Sequence, residues 1–198
     1  MEALARHMRS AVTTYGHSAI ELEWRLGHRH GSFRPGVDAA AWRRLRDALD
    51  ASPAFEQSFE ETAEKLGDGI KCISTQSTQP IWLHKKRLAA VDVDADADGP
   101  WTIRASVSLE SRETAPPAQQ AASLQYERRK KRWSYTHMCW RIDLTRVQTN
   151  LPSHLDEDSD IHEVEIELVD QGILFERALD NVLEWGWTMS RDLCKLMR

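Results

Sequence analysis

Two stretches of this sequence alternate glutamate with large apolar residues, one near each end of the chain. The first, Ile20–Leu26, reads IELEWRL, and the second, Ile161–Leu168, reads IHEVEIEL. In a β-strand, this period of two places the glutamates on one face and the apolar side chains on the other. Carboxylates stacked on one strand face repel each other. The stack therefore indicates either a solvated face or one that meets positive charge, such as a metal ion.

Basic residues occupy the polar faces of other predicted strands. Residues 126–146 hold seven Lys and Arg against two acids, whereas residues 154–167 hold seven acids and no Lys or Arg. A single alternating strand is most often half-buried with its charges in water. Acidic and basic strands in one sheet instead favour a polar interior. The polar faces carry Arg128, Lys130, Arg132 and Ser134; Arg141, Asp143 and Thr145; Thr102, Arg104, Ser106 and Ser108; and the basic run Lys85, Lys86 and Arg87.

The whole chain of 198 residues, with a net charge of -5, fits a single domain over residues 1–198. A mild negative charge argues against a surface that coats nucleic acid but allows a local basic pocket. No apolar run approaches the length of a membrane span, and the N-terminus has no apolar signal core. We therefore expect an intracellular protein without a membrane segment, and its three cysteines are expected to be reduced thiols.

The pattern of the remaining residues predicts the elements that must position these charges. Helices are expected over residues 3–15, 39–51 with Asp38 as N-cap, and 172–197. Strands are expected at 18–27, 70–76, 80–93, 101–110, 126–136, 139–149 and 161–169, with an eighth at 29–34. In residues 53–67, Phe55 and Phe59 favour helix. These elements predict a mainly β (α+β) fold, a closed antiparallel eight-stranded barrel with polar faces inward and flanking helices over its apolar outside.

Such an interior could perform phosphoryl transfer. Mg²⁺ and Mn²⁺ prefer carboxylate oxygens together with phosphate and water. Arginine and lysine grip phosphate oxygens and neutralise the charge that develops during transfer. Cross-strand salt bridging in a solvated sheet is the alternative reading of the same residues.

Four of these strands resemble strands of the metal-dependent RNA 5′-triphosphatases of fungal and protozoan mRNA capping. They are the two glutamate strands, the Lys130-x-Arg132-x-Ser134 strand and the Arg141-x-Asp143-x-Thr145 strand. These enzymes belong to the triphosphate tunnel metalloenzyme superfamily. The resemblance covers about residues 18–170, and the order and spacing of the motifs agree. It implies a tunnel that holds Mn²⁺ or Mg²⁺ and the 5′-triphosphate end of RNA.

The resemblance also implies a role for each matching residue. The metal ligands are expected to be Glu21, Glu23, Glu165 and Glu167, and the triphosphate contacts Arg87, Arg104, Arg128, Lys130, Arg132, Arg141 and Thr145. The catalytic set is expected to be Glu163, Glu165, Asp143 and Arg141. The sequence does not identify the general base among these carboxylates, because neighbouring carboxylates titrate together.

The implied activity is removal of the γ-phosphate from the end of nascent mRNA, the first step of capping, with nucleoside triphosphates as side substrates. We expect a nuclear monomer rather than a dimer, with mRNA guanylyltransferase as a candidate partner. Two alternatives stay open. One is another tunnel enzyme, such as a tripolyphosphatase, a thiamine triphosphatase or a nucleotide cyclase. The other is a non-catalytic barrel that binds phosphates as a scaffold for capping factors.

Overall fold

The computed structural model describes residues 2–16, 19–67, 70–75, 78–96, 99–113, 126–149, 160–170, 172 and 179–198. Three helices and nine strands lie within them. The helices are α1 (Glu2–Tyr15), α2 (Ala39–Asp50) and α3 (Leu179–Leu196). The strands are β1 (Ile20–His30), β2 (Ser32–Pro35), β3 (Glu56–Leu66), β4 (Ile70–Ser74), β5 (Ile81–Asp94), β6 (Thr102–Glu113), β7 (Tyr126–His137), β8 (Trp140–Thr149) and β9 (Ile161–Leu168). None of these helices is long and apolar enough to cross a bilayer.

Eight of the strands close into an antiparallel barrel. The strand order is β1-β6-β5-β4-β3-β7-β8-β9, and a pairing between β9 and β1 completes the ring. The ninth strand, β2, pairs with the end of β1 outside this ring. The predicted fold class, a closed eight-stranded barrel with flanking helices, is therefore confirmed.

Two assignments from the sequence are wrong in detail. The segment near residues 53–67 forms β3 rather than a helix, and β3 is the eighth strand of the barrel. The candidate eighth strand at residues 29–34 is instead the β1–β2 hairpin. Phe59 misled the prediction because it lies on the outer face of β3 and is 53% exposed, so β3 has no buried apolar alternation.

The barrel is polar inside and apolar outside, as the alternation predicts. The outward residues of β1, β6, β8 and β9 form one core with the apolar faces of the three helices. Helix α2 begins where Asp38 accepts a hydrogen bond from the amide of Ala41, which satisfies an otherwise unpaired donor. Its predicted inner residues Trp42, Leu45 and Leu49 are all buried.

Gly186 of helix α3 packs directly against Trp24 of β1. The Trp24 side chain is fully buried and packs edge-on against Trp140, with ring centroids 5.4 Å apart. A Cβ atom at position 186 would lie 2.6 Å from Trp24 Cε2, well inside van der Waals contact. Glycine is therefore required by this contact and not by the helical backbone.

We expect Gly186→Ala to lower the free energy of unfolding by about 1–3 kcal/mol, because the added methyl group overpacks the Trp24 site. Alanine is the better helix former by about 1 kcal/mol, so a helix free of this contact would instead be stabilised. Urea denaturation followed by tryptophan fluorescence measures the difference. Glu184→Ala, an exposed position on the same helix, is the control and should change stability by less than about 0.5 kcal/mol.

Candidate active site

The two glutamate strands lie side by side where the barrel closes. In the β1–β9 ladder, Glu23 lies opposite Glu167 and Arg25 lies opposite Glu165. Paired residues of an antiparallel ladder share a face, so both carboxylate rows face the interior together with Glu21. The structure therefore places the four predicted metal ligands on one stretch of the barrel wall.

The interior contains a cavity of about 530 Å³ with a highly charged lining. Its charged lining residues are the cations Arg25, Lys71, Lys85, Arg87, Arg112, Arg128, Lys130, Arg132 and Arg141 and the acids Glu21, Glu60, Glu64, Glu110, Glu165 and Glu167. Three more acids of the interior face, Glu23, Asp143 and Glu163, are buried behind this lining. The nine cations of the lining are thus matched by six acids in the lining and three acids behind it.

Lys85 of β5 joins the two carboxylates of β1. Its Nζ atom lies 2.5 Å from Glu21 Oε2 and 3.0 Å from Glu23 Oε2. The other carboxylate oxygen of Glu23 accepts a hydrogen bond of 2.8 Å from Ser106 Oγ. Residues of β5 and β6 thus both hold the Glu23 carboxylate in place. Lys85 provides the positive charge that Glu21 and Glu23 share.

Two arginines hold the carboxylates of β9. Arg25 Nε lies 2.5 Å from Glu165 Oε1, and Arg141 Nη2 lies 2.5 Å from Glu167 Oε2. Arg141 also donates from Nε to both oxygens of Asp143, at 3.1 Å each. Lys85 and Arg25 thus link Glu21, Glu23 and Glu165, and Arg141 separately links Asp143 and Glu167.

A second charged group lies on the wall formed by β3, β4 and β7. Glu64 is 1% exposed and lies 2.5 Å from Arg128 Nε, 3.4 Å from Lys130 Nζ and 3.9 Å from Lys71 Nζ. Lys130 is itself buried and lies 4.0 Å from Glu163 Oε2. This group, one carboxylate among three cations, leaves its wall with a local excess of positive charge.

Burial and neighbouring charge shift the carboxylates in opposite directions. Burial raises the pKa of Glu167 to about 7 although nearby Arg141 lowers it, and repulsion from Glu21, Asp143 and Glu165 adds to the rise. Burial and repulsion from Glu23 also raise the pKa of Glu21 above its ordinary value. Burial would likewise raise the pKa of Glu165, but Arg25 and the basic wall lower it below its ordinary range. Burial thus disfavours the charged forms of Glu21 and Glu167, whereas the cations around Glu165 stabilise its charged form.

The carboxylates of β1 and β9 fit a hard divalent cation. Among the residues that the structure describes, no group of three His, Cys, Asp or Glu side chains is arranged closely enough to hold a metal ion. Lys85, Arg25 and Arg141 occupy the space between the carboxylates instead. Burial, together with repulsion from neighbouring carboxylates, raises the pKa of both Glu21 and Glu167, and a Mg²⁺ or Mn²⁺ ion would supply positive charge at this oxygen-rich corner.

Most of the predicted phosphate contacts line the cavity, but not all do. Arg87, Arg128, Lys130, Arg132 and Arg141 belong to the lining. The remaining two predicted contacts, Arg104 and Thr145, do not line it. Arg104 shares the interior face but makes a bidentate ion pair with Asp92 and stacks on Phe33. Thr145 is fully buried opposite Glu163.

Comparison with known proteins identifies the family of this barrel. The sequence profile of the family described as mRNA capping enzyme, beta chain, matches residues 26–183. The chain belongs to this family. The identification made from the sequence is confirmed, and so is the class of function, an RNA 5′-triphosphatase of mRNA capping.

Individual relatives agree with the family match. The chain is 29% identical over 178 residues to the 5′ RNA triphosphatase of Paramecium bursaria Chlorella virus 1, and the match covers 88% of each chain. The barrel superposes on the Pct1 RNA triphosphatase of S. pombe with a TM-score of 0.76 at 19% identity, covering 100% of this chain and 91% of the other. The RNA triphosphatase domain of the mimivirus capping enzyme gives a TM-score of 0.65 at 14% identity, covering 100% and 97%. The two structures show a shared fold.

Three residues of this triphosphatase-family site are not among the site residues predicted from the sequence. Lys85 belongs to the predicted basic run, and Arg25 follows Glu21 and Glu23 at the same period of two, but the sequence assigns a role to neither. Glu64 lies in residues 53–67, for which the sequence favours a helix. The available signal was the alternation Glu60, Thr62, Glu64, whose polar face pairs with the basic face of β7.

We expect Glu64→Gln to lower the free energy of unfolding by about 3–5 kcal/mol at pH 7, because it leaves buried Lys130 without its nearest counter-charge. Although burial alone would raise the pKa of Glu64, Lys130 and Arg128 lower it below its ordinary value. The stabilisation is therefore fully present above the ordinary carboxylate pKa and is lost as the pH falls through the lowered one. Urea denaturation between pH 7 and pH 3 measures both effects.

Glu61→Gln is the matched control for this experiment. Glu61 is on the same strand but faces outward, and its 3.1 Å ion pair with Lys131 is about half exposed. Such surface pairs contribute less than about 1 kcal/mol. Equal stability changes in the Glu61 and Glu64 variants would contradict the assignment of a buried charge cluster.

Proposed function

We propose that this family member hydrolyses the γ-phosphate from the 5′-triphosphate end of nascent mRNA and leaves a diphosphate end for guanylylation. Nucleoside triphosphates are proposed as side substrates, because the charged lining would bind mainly the triphosphate and not the nucleoside attached to it. The observation that carries the proposal is the cavity itself. It gathers the carboxylates of β1 and β9 and the cations of β5, β7 and β8 around one space inside the barrel.

The proposed cofactor is Mn²⁺ or Mg²⁺, held by Glu21, Glu23 and Glu167, with Glu165 beside them. When bound, the ion would polarise the phosphoryl group and neutralise its developing charge. The register supports this ligand set, because Glu23 and Glu167 are directly paired and Glu21 is the next interior residue of β1. Glu165 is the least available of the four, since Arg25 already neutralises it.

The chain's own cations are proposed to bind and orient the triphosphate. Arg132 and Lys130 line the cavity from β7, and their charges lower the pKa of Glu165. Arg25 of β1 lies among the carboxylates and is paired with Glu23 and Glu165. In the proposed complex, these cations exchange carboxylate oxygens for phosphate oxygens, the geometry that arginine favours.

Asp143, Thr145 and Glu163 are proposed to position those cations and not to contact the phosphate. Asp143 accepts hydrogen bonds from Ser134 at 2.6 Å and from Arg141, and it lies 3.7 Å from Arg132. It therefore fixes two arginines at once.

A nuclear location and contact with a guanylyltransferase are proposed because the substrate would be nascent mRNA and the product would pass to that enzyme. We propose that the protein acts as a monomer. The S. pombe relative has also been solved in complex with the Spt5 CTD.

We expect Glu21→Ala and Glu167→Ala each to reduce phosphate release from triphosphate-ended RNA by about 10³-fold, because each removes a carboxylate of the proposed metal site. Mn²⁺ binding, measured by electron paramagnetic resonance, should weaken in parallel. Glu61→Ala, on the outer face, serves as control and should keep both properties. Near-normal release by either interior variant would overturn the metal assignment.

The substrate assignment is tested by the rates of phosphate release from triphosphate-ended RNA, tripolyphosphate, thiamine triphosphate and ATP, each with and without Mn²⁺. RNA should give the highest kcat/KM, and release should require the metal. A higher kcat/KM for tripolyphosphate or thiamine triphosphate would favour another tunnel enzyme. Binding of triphosphate without release under any metal would favour a scaffold.

A further inference from the structure

A group of apolar side chains lines the charged cavity where β3, β4 and β5 meet. Its members at interior-facing strand positions are Leu66, Ile73, Ile81 and Leu83. Together these four form the interior apolar group, which lies outside the hydrophobic core beneath the helices. Paired residues of a ladder share a face of the sheet, and Ile73 pairs with Glu64 while Leu83 pairs with Arg112. The interior apolar group therefore lies among the charges of the barrel interior.

The interior apolar group extends from solvent into the cavity. Ile81 is the first residue of β5, pairs with Ile73 of β4 and is 37% exposed. The next interior residue of β5, Leu83, is only 7% exposed. Apolar side chains that line an accessible cavity beside a few polar groups are typical of a ligand-binding site. The group thus offers an apolar surface at an entrance to the charged cavity.

The interior face of β5 changes from apolar to cationic along the strand. Ile81 and Leu83 are followed at the same period of two by Lys85 and Arg87, and all four line the cavity. Ile81 and Lys85 are four residues apart, which corresponds to about 13 Å of strand. Lys85 Nζ in turn lies 2.5 Å from Glu21, a proposed metal ligand. The cavity therefore presents an apolar surface, then cations, then carboxylates, in that order.

A nucleotide with a 5′-triphosphate has the same order of chemical groups. The face of its base is apolar, its phosphates require cations, and its γ-phosphate must reach the proposed metal. Lys71 and Arg112 flank Leu83 in the two neighbouring ladders, so cations also stand beside the apolar surface. The match gives the substrate one direction in the cavity, with its base toward Ile81 and its γ-phosphate toward Glu21.

We propose that the interior apolar group binds the first nucleoside of the substrate and so directs the γ-phosphate to the carboxylates of β1 and β9. The inference rests on the proposed function and adds a nucleoside subsite to it. The charged lining still provides most of the binding, through the phosphates. Because the contact is made with the face of the base and not with its hydrogen-bonding edge, it does not depend on which base is present.

ATP and ribose 5-triphosphate, each with Mn²⁺, are the substrates that test this subsite. They carry the same triphosphate, and only ATP has a base. For the wild-type protein, kcat/KM should be about tenfold higher for ATP, because the base buries apolar surface against the group. Ile81→Ser and Ile73→Ser should each reduce this ratio to within about threefold, because the loss falls on ATP. Equal wild-type kcat/KM for the two substrates would overturn the proposal.

Phe59→Ser is the matched control, because it makes the same kind of change on the outer face of β3, where Phe59 is 53% exposed. It should leave the ratio of the two substrates unchanged. Thermal unfolding shows whether the isoleucine variants are folded. The proposal fails if both folded variants keep the wild-type ratio, or if they lose activity equally on both substrates, as a purely structural role predicts.

The proposed function and the nucleoside subsite can fail separately. If neither substrate releases phosphate with any metal, the proposed function is wrong. The affinities of ATP and ribose 5-triphosphate, measured by calorimetry, then test the subsite alone. Tighter binding of ATP that is lost in Ile81→Ser would support the subsite, and equal affinities would overturn it.

Discussion

Ion pairs between carboxylates and cations make the interior of this barrel possible. An ion buried without a partner costs several kcal/mol, so each interior acid must meet a base from another strand. Glu165 meets Arg25, and Glu64 meets Arg128 and Lys130. Such pairs form across strands only in one register, because a slip by one residue would turn every charge outward. The charge pattern that forms the site therefore also specifies the pairing of the strands.

The polar interior determines how the outside of the barrel is built. With the interior faces charged, the apolar halves of β1, β6, β8 and β9 can be buried only against other elements, and the helices cover them. The contact of Gly186 with Trp24 shows how closely this cover fits. Rigid packing on the outer face keeps the interior side chains of the same strands in place, as a site that depends on ångström-scale geometry requires. The fold and the site are thus opposite faces of the same strands.

The sequence predicted which face of most strands points inward, but it did not predict strand β3 or the position of each residue along the barrel axis. Period-two alternation identified the strands with a buried outer face. It failed for β3, whose outer face carries exposed Phe59, and Glu64 was lost with it. Alternation assigned Arg104 to the correct face, but it cannot place a residue along the barrel axis. Phe33 and Asp92 engage Arg104 outside the cavity, and these contacts come from a hairpin and a neighbouring strand. Lys85 was one of three consecutive basic residues, and only its register with Glu110 shows that it faces inward.

Charge balance explains why this interior would need a metal to work on a polyphosphate. The nine cations of the cavity lining are matched by nine acids in and behind the lining, so the charges of these residues nearly cancel. A triphosphate brings several negative charges into an enclosed space where Glu21 and Glu167 already show raised pKa values. Cations that turn toward the phosphate leave their carboxylates unpaired, and a divalent ion on those carboxylates restores the balance. Metal and substrate should therefore bind with positive coupling, each removing a penalty that the other creates. Lys85, Arg25 and Arg141, which are paired with Glu21, Glu165 and Glu167, are the cations that this exchange would involve.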